Sequence, residues 1–155
     1  MKRIFALIAV FMISIMPVFA DDKQEAIAFF NNYVKAANTY SKTIQDMYSP
    51  KAKIIRQVIK PDGSTVNVYA DTKTYMTQLK LGQAGAKLRI YSNTYTNISA
   101  QKVATGYKVS SLRQPSGETY KLKTYMILTK QPDGKWLITE EMMQTKEQIF
   151  LKYAK

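Results

Sequence analysis

The chain contains no histidine and no cysteine, so any chemistry it performs is built from carboxylates, tyrosines, lysines and arginines. That excludes Ser-His-Asp and Cys-His nucleophilic machinery, histidine general bases, and zinc or iron sites held by His or Cys. There is no Asp-x-Asp-x-Asp-Gly calcium loop and no phosphate-cradling glycine loop, so the residues imply neither a metal nor a cofactor. Of the eleven acidic residues, Asp62 and Asp133 sit in Pro-Asp-Gly turns, and Asp21 and Asp22 lie at the start of the first helix. Strand alternation singles out Glu140. In "KWLITEEMMQ", Trp136, Ile138, Glu140 and Met142 share one face, and on the preceding strand Tyr120, Leu122, Thr124, Met126 and Leu128 do. If these more apolar faces are concave, Glu140 is a carboxylate inside an apolar cavity, a weak candidate for a general base or a ligand anchor. Two structural alternatives stand beside it: Glu140 lies at the rim paired with a Lys or Tyr, or the faces are inverted and Glu141 points in.

The opposite faces interleave basic and aromatic side chains: Arg89, Tyr91 and Tyr95, then Lys108, then Lys121, Lys123 and Tyr125. Such a surface could meet an anionic polymer, its rings stacking and its ammonium groups pairing with phosphates. Tyrosine is also simply a good strand residue, and single-strand binders carry a denser groove, so nucleic acid is the less favoured partner. The formal charge is +12, and +10 once Lys2 and Arg3 are subtracted. It favours an anionic surface, and equally describes a solvated basic exterior.

The elements that position these residues are legible in the pattern. "MKRIFALIAVFMISIMPVFA" has a basic start, an apolar run and Val18-Phe19-Ala20 at its end, which reads as a signal peptide cleaved after Ala20. An uncleaved anchor helix is the alternative. Residues 21–155 then form one periplasmic or secreted domain without disulfides. Ala26, Phe29, Phe30, Tyr33, Ala37 and Tyr40 mark a long amphipathic helix. "TIQDMYSP" makes a short helix closed by Pro50. "AKIIRQVI" and "STVNVYA" flank Lys60-Pro61-Asp62-Gly63 as a hairpin. A short helix from Asp71 or Thr72 frays at Gly82 and Gly85. Strands at about 88–99, 103–113, 119–130 and 135–144 form an antiparallel meander, and "TKEQIFLKYAK" closes the chain as a helix. The three Pro-Asp/Ser-Gly motifs are hairpin corners, not a repeat. This order argues for an α+β domain with helices on one face of a strongly curved, mostly antiparallel sheet.

In the aromatic first helix, in "IQDMYSPKAKII", in the helix at "ADTKTYMTQL" and above all in the closing strand "DGKWLITEEMMQ", the sequence resembles the nuclear transport factor two-like superfamily, which includes SnoaL-like cyclases and ketosteroid-isomerase-like proteins. The resemblance implies a cone: a bent sheet wrapped around the long N-terminal helix, leaving an apolar pocket, with homodimers through the sheet common. Its enzymes use pocket Asp, Tyr and often His, and this chain has no His. The expected function is non-catalytic binding of a small apolar or amphipathic molecule, with Tyr33, Tyr48, Tyr75, Met126, Trp136 and Glu140 as lining. Two alternatives are an isomerase- or cyclase-type enzyme using Glu140 and a tyrosine, and an envelope assembly or adaptor protein that meets a partner or anionic surface through its basic sheet face.

Overall fold

The structure, a computed structural model, describes residues 21–88 and 90–153. The expected signal segment at 1–20, and Arg89, lie outside the described residues. The first helix, α1 (Asp22–Asn38), is capped by the Asp21 side chain, which accepts from the Lys23 amide at 3.3 Å. Asp22 and Glu25 sit at its positive end, where the helix dipole favours them. Ala26, Phe30 and Tyr33 fall on one stripe and are the residues it buries against the sheet.

A 3-10 turn (Ile44–Met47) leads into β1 (Tyr48–Ile59), which pairs with β2 (Thr65–Ala70). The helix α2 (Thr72–Leu88) follows, and then β3 (Asn93–Val103), β4 (Gly106–Pro115), β5 (Leu122–Lys130) and β6 (Trp136–Thr145), with a last 3-10 helix at Gln148–Tyr153. The six strands form one open sheet in the order β2-β1-β6-β5-β4-β3. Every pairing is antiparallel except β1 with β6. The Pro-Asp-Gly motifs are corners, as read: Gly63 and Gly134 both take φ +84°, and Asp62 and Asp133 accept from the amides of Ser64 and Lys135.

Four local expectations are corrected. The helix expected to fray at Gly82 runs through it for 17 residues, because Tyr75, Met76 and Leu79 pack on the core and tertiary contact outweighs glycine's propensity. The strand expected from 88 therefore begins at Asn93. Pro50 closes no helix; it lies inside β1, in the stretch between Tyr48 and Lys53 where the pairing with β6 slips and no ladder donor is required. The terminal segment is a 3-10 helix.

The slip that matters most is in β6. Leu128 pairs with Ile138, yet Ile127 pairs with Glu140, so Thr139 is an extra residue in the ladder. Its hydroxyl donates to the Ile127 carbonyl at 3.2 Å and lies 2.9 Å from the Thr129 hydroxyl, which anchors the bulge. Trp136 and Ile138 face the helices before it; after it Glu141, Met143 and Thr145 do, and Glu140 and Met142 turn outward.

Where β4 starts, a Cβ on Gly106 would stand 2.0 Å from the Leu128 carbonyl oxygen. Gly106→Ala is expected to cost about 2–4 kcal/mol by forcing β4 away from β5. A urea midpoint unchanged from the parent protein would show that the two backbones do not approach this closely.

Candidate functional site

The bulge places Glu141 at the bottom of the concave side, fully buried. Each element around it contributes a partner. From β1, Arg56 Nη1 donates to Glu141 Oε1 at 2.8 Å, and the Tyr48 hydroxyl donates to Oε2. From α2, the Tyr75 hydroxyl donates to Oε1 at 3.1 Å. From α1, the Tyr33 hydroxyl lies 3.3 Å from that of Tyr48. The rings of Tyr33, Tyr48 and Tyr75 pack edge to face in a chain, with centroids 6.2 and 5.9 Å apart. The Arg56 guanidinium lies 4.9 Å from the Tyr75 ring centre.

The electrostatics follow from burial. Loss of water pushes the phenols of Tyr48 and Tyr33 well above their ordinary value, and the nearby Glu141 charge adds to it. Tyr75 is pushed up to about 12 by burial and Glu141, with Arg56 opposing. Burial alone would lower Arg56, but Tyr75 and Glu141 beside it more than offset that and hold it charged. At neutral pH the phenols are donors and Glu141 receives three of the network's hydrogen bonds, counting the guanidinium. A carboxylate held in this way fastens α2, β1 and β6 together.

Glu140 is not in the cavity. It stands on the outer face, where the Tyr125 hydroxyl donates to it at 2.6 Å and the Lys53 ammonium lies 3.7 Å away. Two-residue alternation from Trp136 misplaces it because Thr139 adds one residue to the phase. Of the other expected lining residues, Tyr33 and Tyr75 border a cleft, whereas Tyr48 lies beneath in the hydrogen-bonded network. Met126 is fully buried core, and Trp136 is sealed at the start of α1, its indole donating to Glu25 at 3.0 Å.

On the outer face Lys108, Lys123 and Tyr125 do lie together, the Lys108 ammonium 4.0 Å from the Tyr125 ring centre, and Lys121 reaches Thr96 at 3.4 Å. Tyr95 does not join them: its ring meets Phe30 edge-on at 5.5 Å, on the inner side. Tyr91 precedes β3 and borders the cleft. Sequence reasoning missed Arg56, although an arginine in phase with Ile54 and Val58 on a strand was a readable signal. It also missed Arg113, buried on the inner face of β4.

The cleft holds about 350 Å³ between the C-terminal part of α1, α2 and the start of β3. Its walls are mostly apolar, formed by Tyr33, Tyr75, Leu79, Tyr91, Tyr95 and Met143, with amides from Asn38, Gln78, Gln83 and Asn93 at intervals. The Gln83 Oε1 is buried with no hydrogen-bond partner among the described residues. Across α2 a second hollow of about 380 Å³ is bordered by Arg56, Tyr69, Tyr75, Phe150 and Tyr153.

No family model and no curated protein matches this sequence. Among solved structures, a protein of unknown function from Pectobacterium atrosepticum is similar at a TM-score of 0.59 and 18% identity, over 81% of this chain and 91% of that one. Nuclear transport factor 2 from Cryptosporidium parvum is similar at 0.56 and 12%, over 78% and 91%. A candidate ketosteroid isomerase from Shewanella frigidimarina is similar at 0.53 and 14%, over 75% and 91%. The chain thus has the nuclear transport factor two-like fold, with its curved sheet left open.

Two outcomes test the network. Glu141→Leu leaves Arg56 buried without its partner and is expected to cost about 3–5 kcal/mol in urea unfolding, while Glu141→Leu combined with Arg56→Met recovers most of it. A double variant no better than the single one would refute the pairing. Alkali tests the phenols. Unfolded tyrosine ionises near pH 10, and folded Tyr75 only at about 12, with Tyr48 and Tyr33 raised in the same direction. The Tyr75 contribution is therefore whole below pH 10 and is lost as pH rises through 10 to about 12, and those of Tyr48 and Tyr33 are likewise whole below pH 10 and decline above it. Urea midpoints measured across that range should fall, and fall less steeply in Tyr75→Phe.

Proposed function

We propose that this chain, whose fold is the nuclear transport factor two-like cone, is an exported binding protein of the periplasm that holds a small apolar or amphipathic molecule without transforming it. The single observation that carries this reading is the cleft beside α2. It combines aromatic and aliphatic walls with one buried, unpartnered acceptor, Gln83 Oε1. Binding sites for small molecules have this composition: mostly apolar lining with a few convergent polar groups that fix orientation. A ligand hydroxyl or amide N–H would satisfy Gln83 and remove the cost of leaving that oxygen unmade.

An isomerase-type mechanism needs a carboxylate free to take a proton from the substrate. Glu141 is the carboxylate nearest that role, and its oxygens already accept from Arg56, Tyr48 and Tyr75. Freeing it would strand a buried guanidinium. The fold accommodates proteins named as isomerases and as transport factors alike, so the site decides the reading.

Native mass spectrometry of the protein purified from a bacterial periplasm tests it. The expected result is a retained small molecule, with occupancy lowered about tenfold or more in Tyr91→Ala and Gln83→Leu, equivalent to about 1.4 kcal/mol. A ligand retained equally by both variants would place binding elsewhere, and turnover of that ligand by the wild-type protein would replace the binding reading with an enzymatic one.

A further inference from the structure

Arg113 projects from the inner face of β4 and is 9% exposed. Its Nη1 donates to the Asn93 side-chain oxygen and its Nη2 to the Gln144 main-chain carbonyl, each at 3.0 Å, while Nε is buried with no partner. Both acceptors are neutral. Among the described residues Arg113 forms no ion pair, and no acidic side chain exists in the sequence outside them. The other buried guanidinium, Arg56, is cancelled by Glu141. Arg113 is therefore a buried guanidinium without an ion pair among the described residues, a costly placement unless an anion meets it.

The position of that charge is informative. Arg113 borders a hollow of about 130 Å³, together with Tyr91, Ser116, Tyr120 and Lys146. Tyr91 also borders the cleft, and so does Asn93, which holds the Arg113 Nη1. Glu118 and Glu147 line the hollow as well, both exposed, where water screens them far more than it screens Arg113. Lys146, whose ammonium lies 4.0 Å from the Tyr120 ring centre, offsets one of the two. These carboxylates disfavour a dianion such as phosphate, and a single planar carboxylate matches a guanidinium edge with a free N–H.

We infer that the ligand of the cleft is an amphipathic monocarboxylate whose apolar body lies among Tyr33, Leu79 and Tyr95 and whose carboxylate is received by Arg113. This rests on the cleft reading and goes beyond it by assigning the charge, the head group and the residue that selects it.

The test uses two probes with the same apolar body, 2-naphthoate and its neutral amide, titrated calorimetrically into the purified protein at pH 7 and constant ionic strength. The wild-type protein is expected to prefer the carboxylate by about tenfold or more. Arg113→Met should abolish the preference and leave affinity for the amide nearly unchanged, and Arg113→Lys should keep part of it. In the wild-type protein the Arg113 Nε–H resonance should shift with the carboxylate and not with the amide, a readout that survives if Arg113→Met fails to fold. Equal affinity for the two probes, or a preference that persists without Arg113, overturns the anionic head and leaves the cleft standing. If neither probe binds, both readings fall.

Discussion

The buried carboxylate of Glu141 is the constraint around which the rest of the molecule is arranged. Taking a carboxylate out of water is costly enough that nearly every lone pair has to be met. The groups that meet it come from separate parts of the chain: Tyr48 and Arg56 from β1 and Tyr75 from α2, with Tyr33 of α1 one hydroxyl further out. These contacts hold together the parallel seam between β1 and β6, where the sheet joins its first hairpin to the later meander. They also fix the two long helices over the concave side. Local interactions along the chain could not do this, since Tyr48 and Glu141 are 93 positions apart.

The apolar core does the remaining work. Phe30, Ile44, Ile54, Val109, Met126, Leu128 and Ile138 are fully or almost fully buried and come from α1, the 3-10 turn and four strands. They form one cluster between α1 and the sheet, and Trp136 joins it with its indole held by Glu25. Toward α2 the packing loosens: that helix buries no residue completely. An open cleft on that side is the consequence, because a helix held mainly by Tyr75, Met76 and Leu79 leaves space along its flanks. The position of the cleft and the marginal packing of α2 are thus one structural fact.

Charge is sorted by face. The outer face carries Lys53, Lys108, Lys121 and Lys123, with Glu140 beside Lys53, in high dielectric where such a pairing is worth little. The inner face keeps Arg56, Arg113 and Glu141, where a single uncompensated charge is a large term.

The α+β class, the helix α1, the hairpin corners at Asp62 and Asp133 and the existence of all six strands were legible in the sequence, because each rests on a local signal: a 3.6-residue stripe, a turn residue at its position, or β-branched runs between them. Tyr33 and Tyr75, expected from the sequence to line a pocket, do border a cleft. What the tertiary structure decided was phase. One extra residue at Thr139 exchanges Glu140 for Glu141, while Tyr95, paired with the inward-facing Arg113, lies on the inner side and Tyr91, ahead of β3, borders the cleft. A bulge has no composition of its own; it arises from pairing with β5 and β1, strands distant in sequence. The same holds for Arg113, which only the folded chain shows to be buried without an ion pair among the described residues. Residue types determined which chemistry was available to this protein, and long-range pairing alone determined which of those residues share a face, since a one-residue shift in a strand reverses every side chain beyond it.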